Sequence, residues 1–294
     1  VQGVAGGEYG DIFQESTIRR MIYNPGSTVV FSIEKVSDDD GILAPYSLIR
    51  AGERIFWLSA KGFKMMTPTG LPTPIGKERF DRYFFRSYDS GARQLVIGAA
   101  DPENQRVFFT YRSSGNPNSY FDQIICWDFA LEKATLLDVT GEYLANIAAP
   151  GITLESLDSI SSSIDALTVS LDDISTAALS KLALFNTSHI LGFLSGSNME
   201  ATLDSNEHQM SMTRMRVKGF RPVTDAPTCY GSVGGRETLQ TSASYSDEVV
   251  VNSKGLCPAH VSTRLMRGRL RIPSGQAWTF ASGIEPDIVQ DGKR

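Results

Sequence analysis

The feature that most constrains this chain is a hairpin-like stretch that recurs. RIFWLSAKGFKMM, residues 54–66, is two short apolar runs separated by a polar break, Ser59-Ala60-Lys61, with Gly62 opening the second run. IFQESTIRRMIYNPG (12–26) aligns with IFWLSAKGFKMMTPTG (55–70) at an offset of 43 to 44 residues, with one residue inserted in the second turn. RVFFTYRSSG (106–115) begins a third copy, and ILGFLSGSNMEATLD (190–204) a weaker fourth. Repeats of this length need to be found before individual elements are assigned, because each repeat is one unit of a larger architecture.

The flanks extend each copy. Around the third, 94–99, 106–111, 122–128 and 133–139 read as four consecutive strands. YSLIRAG (46–52) and LPTPIG (71–76) flank the second. Short four-stranded antiparallel units every 40 to 50 residues are the pattern of propeller blades. One such sheet cannot bury both of its faces, whereas sheets packed face to face can. The fold class expected is therefore all-β: propeller-like blades of four antiparallel strands, followed by a small sandwich-like domain. Unrelated hairpins of a sandwich are the weaker alternative for residues 8–145. Alternation then places Phe56 and Leu58 on one face and Ile55 and Trp57 on the other, both buried between neighbouring blades, with Gly62 at the turn. ERFDRYFF (78–85) has helix-like spacing and reads as a short helix or turn between blades.

The remaining text divides the chain further. The domain reading is blades over 1–145, an extended Ser/Asp-rich linker over 146–180, further blade strands over 181–208 and a sandwich-like domain over 209–294. In the linker, Leu157, Ile160, Ile164, Leu167, Leu171 and Ile174 recur at heptad spacing. Ser, Thr and Asp dominate between them and disfavour a helix interior, so an extended segment anchored by its Leu and Ile is preferred. From 209 onward, RMRVKGFRPVTD and STRLMRGRLRIPSG alternate as strands with two different faces. SVGGRETLQ, PSGQAW and ASGIEPD read as turns.

Chemistry-bearing patterns are sparse. His189, His208 and His260 share no ligand spacing, and Cys126, Cys229 and Cys257 form no C-x-x-C, so no metal, cofactor or catalytic residue is assigned. The thiols read as buried and incidental, Cys229–Cys257 being the one pairing to check. Asp38-Asp39-Asp40 could bind calcium, but the loop spacing is missing and a solvated loop is the better reading. The formal net charge of −5 argues against a protein that grips nucleic acid over its whole surface. It does not argue against one that lets nucleic acid slide past, because an acidic wall repels phosphate. No apolar run approaches membrane-span length, so no membrane insertion is expected. VQGVAGGEYG carries neither the basic start nor the apolar core of a leader, and the absence of an initial Met makes a further N-terminal part an expectation.

One surface stands out. Arg214, Arg216 and Lys218 alternate on one expected strand, opposite Met215 and Val217. Arg267, Arg269 and Arg271 alternate on another, opposite Leu270 and Ile272. If the two strands pair, two basic rows share a face. Two readings stay open: the solvated side of a half-buried sheet, or contact with an acidic partner subunit or DNA phosphates.

The order of several phrases resembles a known family. STIRRMIY, FSIEKVSDDDGILAPYSLIRAGERIFWLSAKGF, IGAADPENQRVFFTY and DQIICWDFALEKATLLDV come first. LGFLSGSNMEATLDSNE, VKGFRPVTD and GLCPAHVSTRLMRGRLRIPSGQAWTFASGIEPD follow. Together, over residues 8–290, they resemble the tail nozzle or packaged-DNA stabilisation proteins of short-tailed phages. That resemblance implies a non-enzymatic structural protein of the virion tail. It further implies a homo-oligomeric ring, commonly of six subunits, with portal, adaptor and other tail proteins as partners. The packaged DNA would pass through its channel. The alternatives carried are a tail-associated propeller that binds or cleaves glycans, and a propeller module that binds a protein partner.

Overall fold

The computed structural model describes residues 1–101, 104–149, 179–194, 196–209 and 213–291. The heptad-spaced segment 154–176 lies outside the described residues. The chain forms two compact units, Val1–Leu194 and Ser195–Arg294.

The first unit is a succession of antiparallel meanders. β1 (Gly3–Ala5), β2 (Gly10–Phe13), β3 (Ile18–Tyr23) and β4 (Phe31–Ser37) pair in chain order to form sheet 1. β5 (Ile49–Ala51), β6 (Arg54–Ser59), β7 (Gly62–Met66) and β8 (Thr73–Pro74) form sheet 2. β9 (Gly98–Asp101), β10 (Arg106–Tyr111), β11 (Gln123–Asp128) and β12 (Lys133–Leu137) form sheet 3. β13 (Tyr143–Ala149), β14 (Leu179–Phe185) and β15 (Leu191–Phe193) make a three-stranded sheet 4. These are the propeller-like blades that the repeat predicts. The expected strand at 94–99 starts later, at Gly98. The buried Thr110 hydroxyl donates to the Leu95 carbonyl (2.7 Å) and accepts from the Ile97 amide (3.1 Å), so a side chain satisfies that backbone in place of a ladder.

Each sheet is apolar on the faces that meet a neighbour. Phe13 and Ile18 of sheet 1 pack with Ile55, Trp57 and Met66 of sheet 2. Phe56, Leu58 and Phe63, on the other side of sheet 2, pack with Val107, Phe109 and Trp127 of sheet 3. Ala99 and Ile124 of sheet 3 meet Leu144 and Leu184 of sheet 4. The predicted split of Phe56 and Leu58 from Ile55 and Trp57 is thus realised, and all four are buried. Helix α1 (Asp81–Ser87) fills the wedge beside sheets 2 and 3, where Phe84 sits among Phe63, Tyr88 and Tyr111.

The hairpin of residues 54–66 is pinned from outside. Ala60 and Lys61 form the tip, and Gly62 follows with φ +119, a region that costs a residue with a Cβ. The Asp81 carboxylate fills the hollow that this glycine leaves and accepts a hydrogen bond from the Phe63 amide (3.1 Å). Burial raises its pKa above the ordinary carboxylate range, against the opposing effects of the Phe63 bond and Lys64.

The second unit is a sandwich. β16 (Ala201–Asp204), β17 (His208–Gln209), β19 (Tyr230–Arg236), β20 (Ser244–Tyr245), β21 (Val249–Val250) and β23 (Leu265–Ile272) form a six-stranded sheet centred on β23 and β19. β22 (Cys257–Thr263), β18 (Met215–Thr224) and β24 (Ala281–Gln290) form the opposing sheet. Met215, Val217 and Phe220 of β18 meet Val233 of β19 and Met266 of β23 across the core. Gly268 marks the closest approach of the sheets, since a Cβ there would lie 1.9 Å from Ile284 of β24.

Three expectations are corrected. Residues 181–208 are not one set of blade strands: β14 and β15 pair with β13, whereas β16 and β17 pair with β23 in the sandwich. The weak fourth repeat therefore straddles the boundary at Leu194/Ser195. GSVGG (231–235) is strand and not turn. Its glycines admit the Phe220 and Tyr245 rings, which a Cβ at Gly231 or Gly234 would meet at 2.4 and 2.9 Å. ASGIEPD, read as a turn, opens the long strand β24, whose ladder to β18 overrides the local Gly and Pro signals.

Candidate interaction surface

The six candidate cations do not share a surface. β18 and β23 belong to opposing sheets, and both point their alternate apolar residues into one core. Their charged residues therefore face away from each other. The two basic rows lie on opposite outer sides of the sandwich, which corrects the expectation of a common face.

The row on β23 is neutralised in place. Arg271 reaches Glu248 (2.7 Å) and Glu200 (3.0 Å), Arg269 reaches Asp204 (2.7 Å), and Arg267 reaches Glu207 (3.3 Å). Arg236 also reaches Glu207, at 2.5 Å. Tyr245 and Tyr230 lie under the Arg269 and Arg271 guanidinium groups at 4.1 and 4.6 Å. Hydrogen bonds from Arg269, Arg236 and Arg271 hold Asp204, Glu207 and Glu248, respectively, below the usual carboxylate range. Glu200, Asp204 and Glu207 flank or lie on β16, so the arginines fasten this edge segment to β23. Arg214 is occupied as well, by Glu237 (2.8 Å) and the Ser262 carbonyl (3.1 Å).

Arg216 and Lys218 differ. Both are exposed on the outer side of β18, and among the described residues neither has an ion-pair partner. Arg221 on the same strand is also exposed and unpaired, beside Glu285 and Asp287 of β24. Of the six predicted contact residues, these two retain charge to offer a partner. Arg221 joins them, missed because the bulge between Val217 and Gly219 shifts the alternation that would have selected it.

The other sequence candidates have structural occupations. Asp38, Asp39 and Asp40 pair with Lys35, Lys61 and Lys64 at 2.9, 3.2 and 3.2 Å. Among the described residues no cluster of His, Cys, Asp or Glu is placed to hold a metal ion, and no helix is long and apolar enough to cross a membrane. The three cysteines are free. Burial raises the Cys126 and Cys257 thiols to about 12 and about 11, which suppresses the reactive thiolate.

No family model and no curated protein matches this chain.

Two further surfaces lie on sheets 1 and 4. The side of sheet 1 turned away from sheet 2 carries Val4, Tyr23, Phe31 and Ile33, each between 51% and 60% exposed. Ile12 and Met21 lie between them by register, and Tyr23 and Phe31 are in ring contact at 5.5 Å. On sheet 4, the side turned away from sheet 3 carries Tyr143, Leu191 and Phe193, between 40% and 45% exposed, with Phe185 beside them. Scattered exposed apolar residues are ordinary, whereas contiguous apolar sheet faces mark interaction sites. The signal was present in the alternation of FSIEKVS and LGFL, but alternation alone does not tell which apolar row is left exposed.

Proposed function

We propose that this chain is a structural assembly protein of a virion tail, a component of a nozzle-type ring that conducts and retains packaged DNA in a short-tailed phage. The observation that supports the assembly reading is the exposed apolar row Val4, Tyr23, Phe31 and Ile33 on sheet 1, with Tyr143, Leu191 and Phe193 exposed on sheet 4. Contiguous exposed apolar rows of this kind mark interaction sites. The phage-tail assignment rests on the ordered phrases from STIRRMIY to SGQAW. The net charge of −5 agrees with a conduit wall that does not hold phosphate. The charge pairing on β23 removes the strongest basic row from contention for DNA. Arg216 and Lys218 are the cations proposed to meet a neighbouring subunit or a local stretch of DNA.

The test is negative-stain imaging of the purified protein together with DNA retention by particles that lack it. Rings with a bore of roughly 20–30 Å, wide enough for duplex DNA, and particles that leak their genome are expected. Particles that retain DNA normally without the protein would overturn the reading.

A further inference from the structure

We infer that the outer edge of β12 takes up an extended, acidic peptide segment of a partner protein as an added strand of sheet 3. This surface belongs to the first unit, the cations of β18 to the second, and the inference does not depend on the tail reading. An edge strand presents alternate N–H and C=O groups without partners, and proteins blunt such edges with proline, charge or a bulge. The last strands of sheets 1 and 2 are blunted in this way. β4 carries Glu34 and Lys35 at its centre, and its ladder with β3 shifts register between Ile18 and Arg19. β8 has two residues, one of them Pro74. β12 has none of these devices. It stands at the end of sheet 3, pairs with β11 in unbroken register and reads KATLL, with no proline and one charge, at its first residue. Lys133, Ala134, Thr135 and Leu136 are all exposed.

Beside this edge lies an apolar groove of about 390 Å³, at the small end of the range of ligand pockets. Its lining includes the buried Phe80 and Ile125, with Tyr83 of α1 and Leu136 of β12 half exposed at its mouth. Arg79 is fixed at the groove by Glu132 (2.6 Å) and by the Trp127 ring, 5.0 Å from its guanidinium. Ala134 and Leu136 point to the same side of β12, and a residue of an added strand opposite either of them points to that side too. Such a strand would put alternate side chains at the groove while its backbone extends the ladder, which is how peptide sites on sheet edges combine affinity with selectivity. The surroundings set the charge of the peptide. Lys77, Arg82, Arg86 and Lys133 are exposed, and among the described residues none has an ion-pair partner. Arg82 and Arg86 are one turn apart on α1, and Arg86 follows Tyr83 by three residues on that helix. Glu78 is the one exposed anion of 77–86. In a chain of net charge −5 this is a local excess of positive charge, and it favours acidic residues on either side of the apolar ones.

The experiment is fluorescence polarisation of the full chain with the labelled peptide Asp-Glu-Thr-Val-Thr-Leu-Thr-Glu-Asp, followed by amide hydrogen exchange of the complex. A Kd on the order of 100 µM or tighter is expected, rising with salt. Amides within 133–137 gain protection in the complex, because a new ladder covers them. N-methylation of two adjacent central amides of the peptide abolishes binding, since one of the two must donate to the ladder. Ala134→Glu places a like charge at the groove and weakens binding at least tenfold, as does Arg82→Glu with Arg86→Glu. These positions are exposed, so the melting temperatures of the variants stay close to that of the wild type. No binding at about 1 mM peptide overturns the inference. So does binding without added protection at 133–137, or equal binding of a peptide with lysine in place of each Asp and Glu. Self-association of the wild-type chain that protects 133–137 and is lost in Ala134→Glu would assign the edge to a second copy and overturn the peptide as its occupant. None of these outcomes bears on DNA retention by tail particles, so the two readings fail separately.

Discussion

At the scale of single residues, the fold depends on a few positions where a side chain replaces a missing backbone partner or a glycine makes room for one. Asp81 and Gly62 are one such pair. A Cβ on Gly62 would lie 2.1 Å from the Asp81 carboxylate, and its φ of +119 is unfavourable for any residue but glycine. Gly62→Ala is expected to cost about 2 kcal/mol or more, read as a lower midpoint in urea unfolding. Gly76→Ala, whose Cβ would meet the same carboxylate at 1.9 Å, is expected to behave alike although its backbone is unstrained. Phe63→Ala removes a fully buried ring that touches Phe80, Phe84 and Phe109, and about 3–5 kcal/mol should be lost. By contrast, Arg216→Glu with Lys218→Glu changes two exposed, unpaired positions. Stability should move by less than about 0.5 kcal/mol, while contact with a partner or DNA is weakened.

At the scale of elements, acid should reach the sandwich before the blades. Asp204, Glu207 and Glu248 have folded pKa values below their unfolded ones, so the unfolded chain binds protons more readily. Their contribution is complete above the unfolded carboxylate value of about 4 and is lost as pH falls through the lower folded values. Asp11 and Asp81 in the first unit have the opposite sign. Burial raises their pKa values, so they penalise the folded state at neutral pH and the penalty lifts as pH falls. Hydrogen exchange between pH 7 and 3 should therefore show β16 losing protection ahead of sheets 2 and 3. Arg269→Gln should remove part of that difference by releasing Asp204. Equal loss of protection in both units would count against this account. Each of these surface pairs is individually weak, so the effect expected is local opening and not global unfolding.

At the scale of the whole molecule, each core cluster of the described residues belongs to one unit. Those around Trp57, Phe63 and Leu144 draw only on residues up to Leu184, and those around Phe220 and Leu270 only on residues from Ala201 onward. Residues 1–194 and 195–294 produced separately should each unfold cooperatively, checked by circular dichroism against the full chain. A sandwich fragment without a transition would show that its stability depends on the first unit.

Much of the architecture was legible in the amino-acid order, because it depends on period. Alternation of two placed Phe56 and Leu58 opposite Ile55 and Trp57, and recurrence of the hairpin identified the sheets as stacked units. The short helix after Gly76 was legible from its spacing for the same reason. What only the tertiary structure decided was which periodic segments become neighbours. LGFLSGSNMEATLD looks like one more hairpin, yet its halves pair with β14 and β23 in different units. The basic rows of β18 and β23 looked like one surface, yet a shared core turns them to opposite sides and five carboxylates, distant in sequence, neutralise four of the six cations. Alternation reports which face of a strand seeks cover; the partner that covers it is set by contacts between residues remote in the chain.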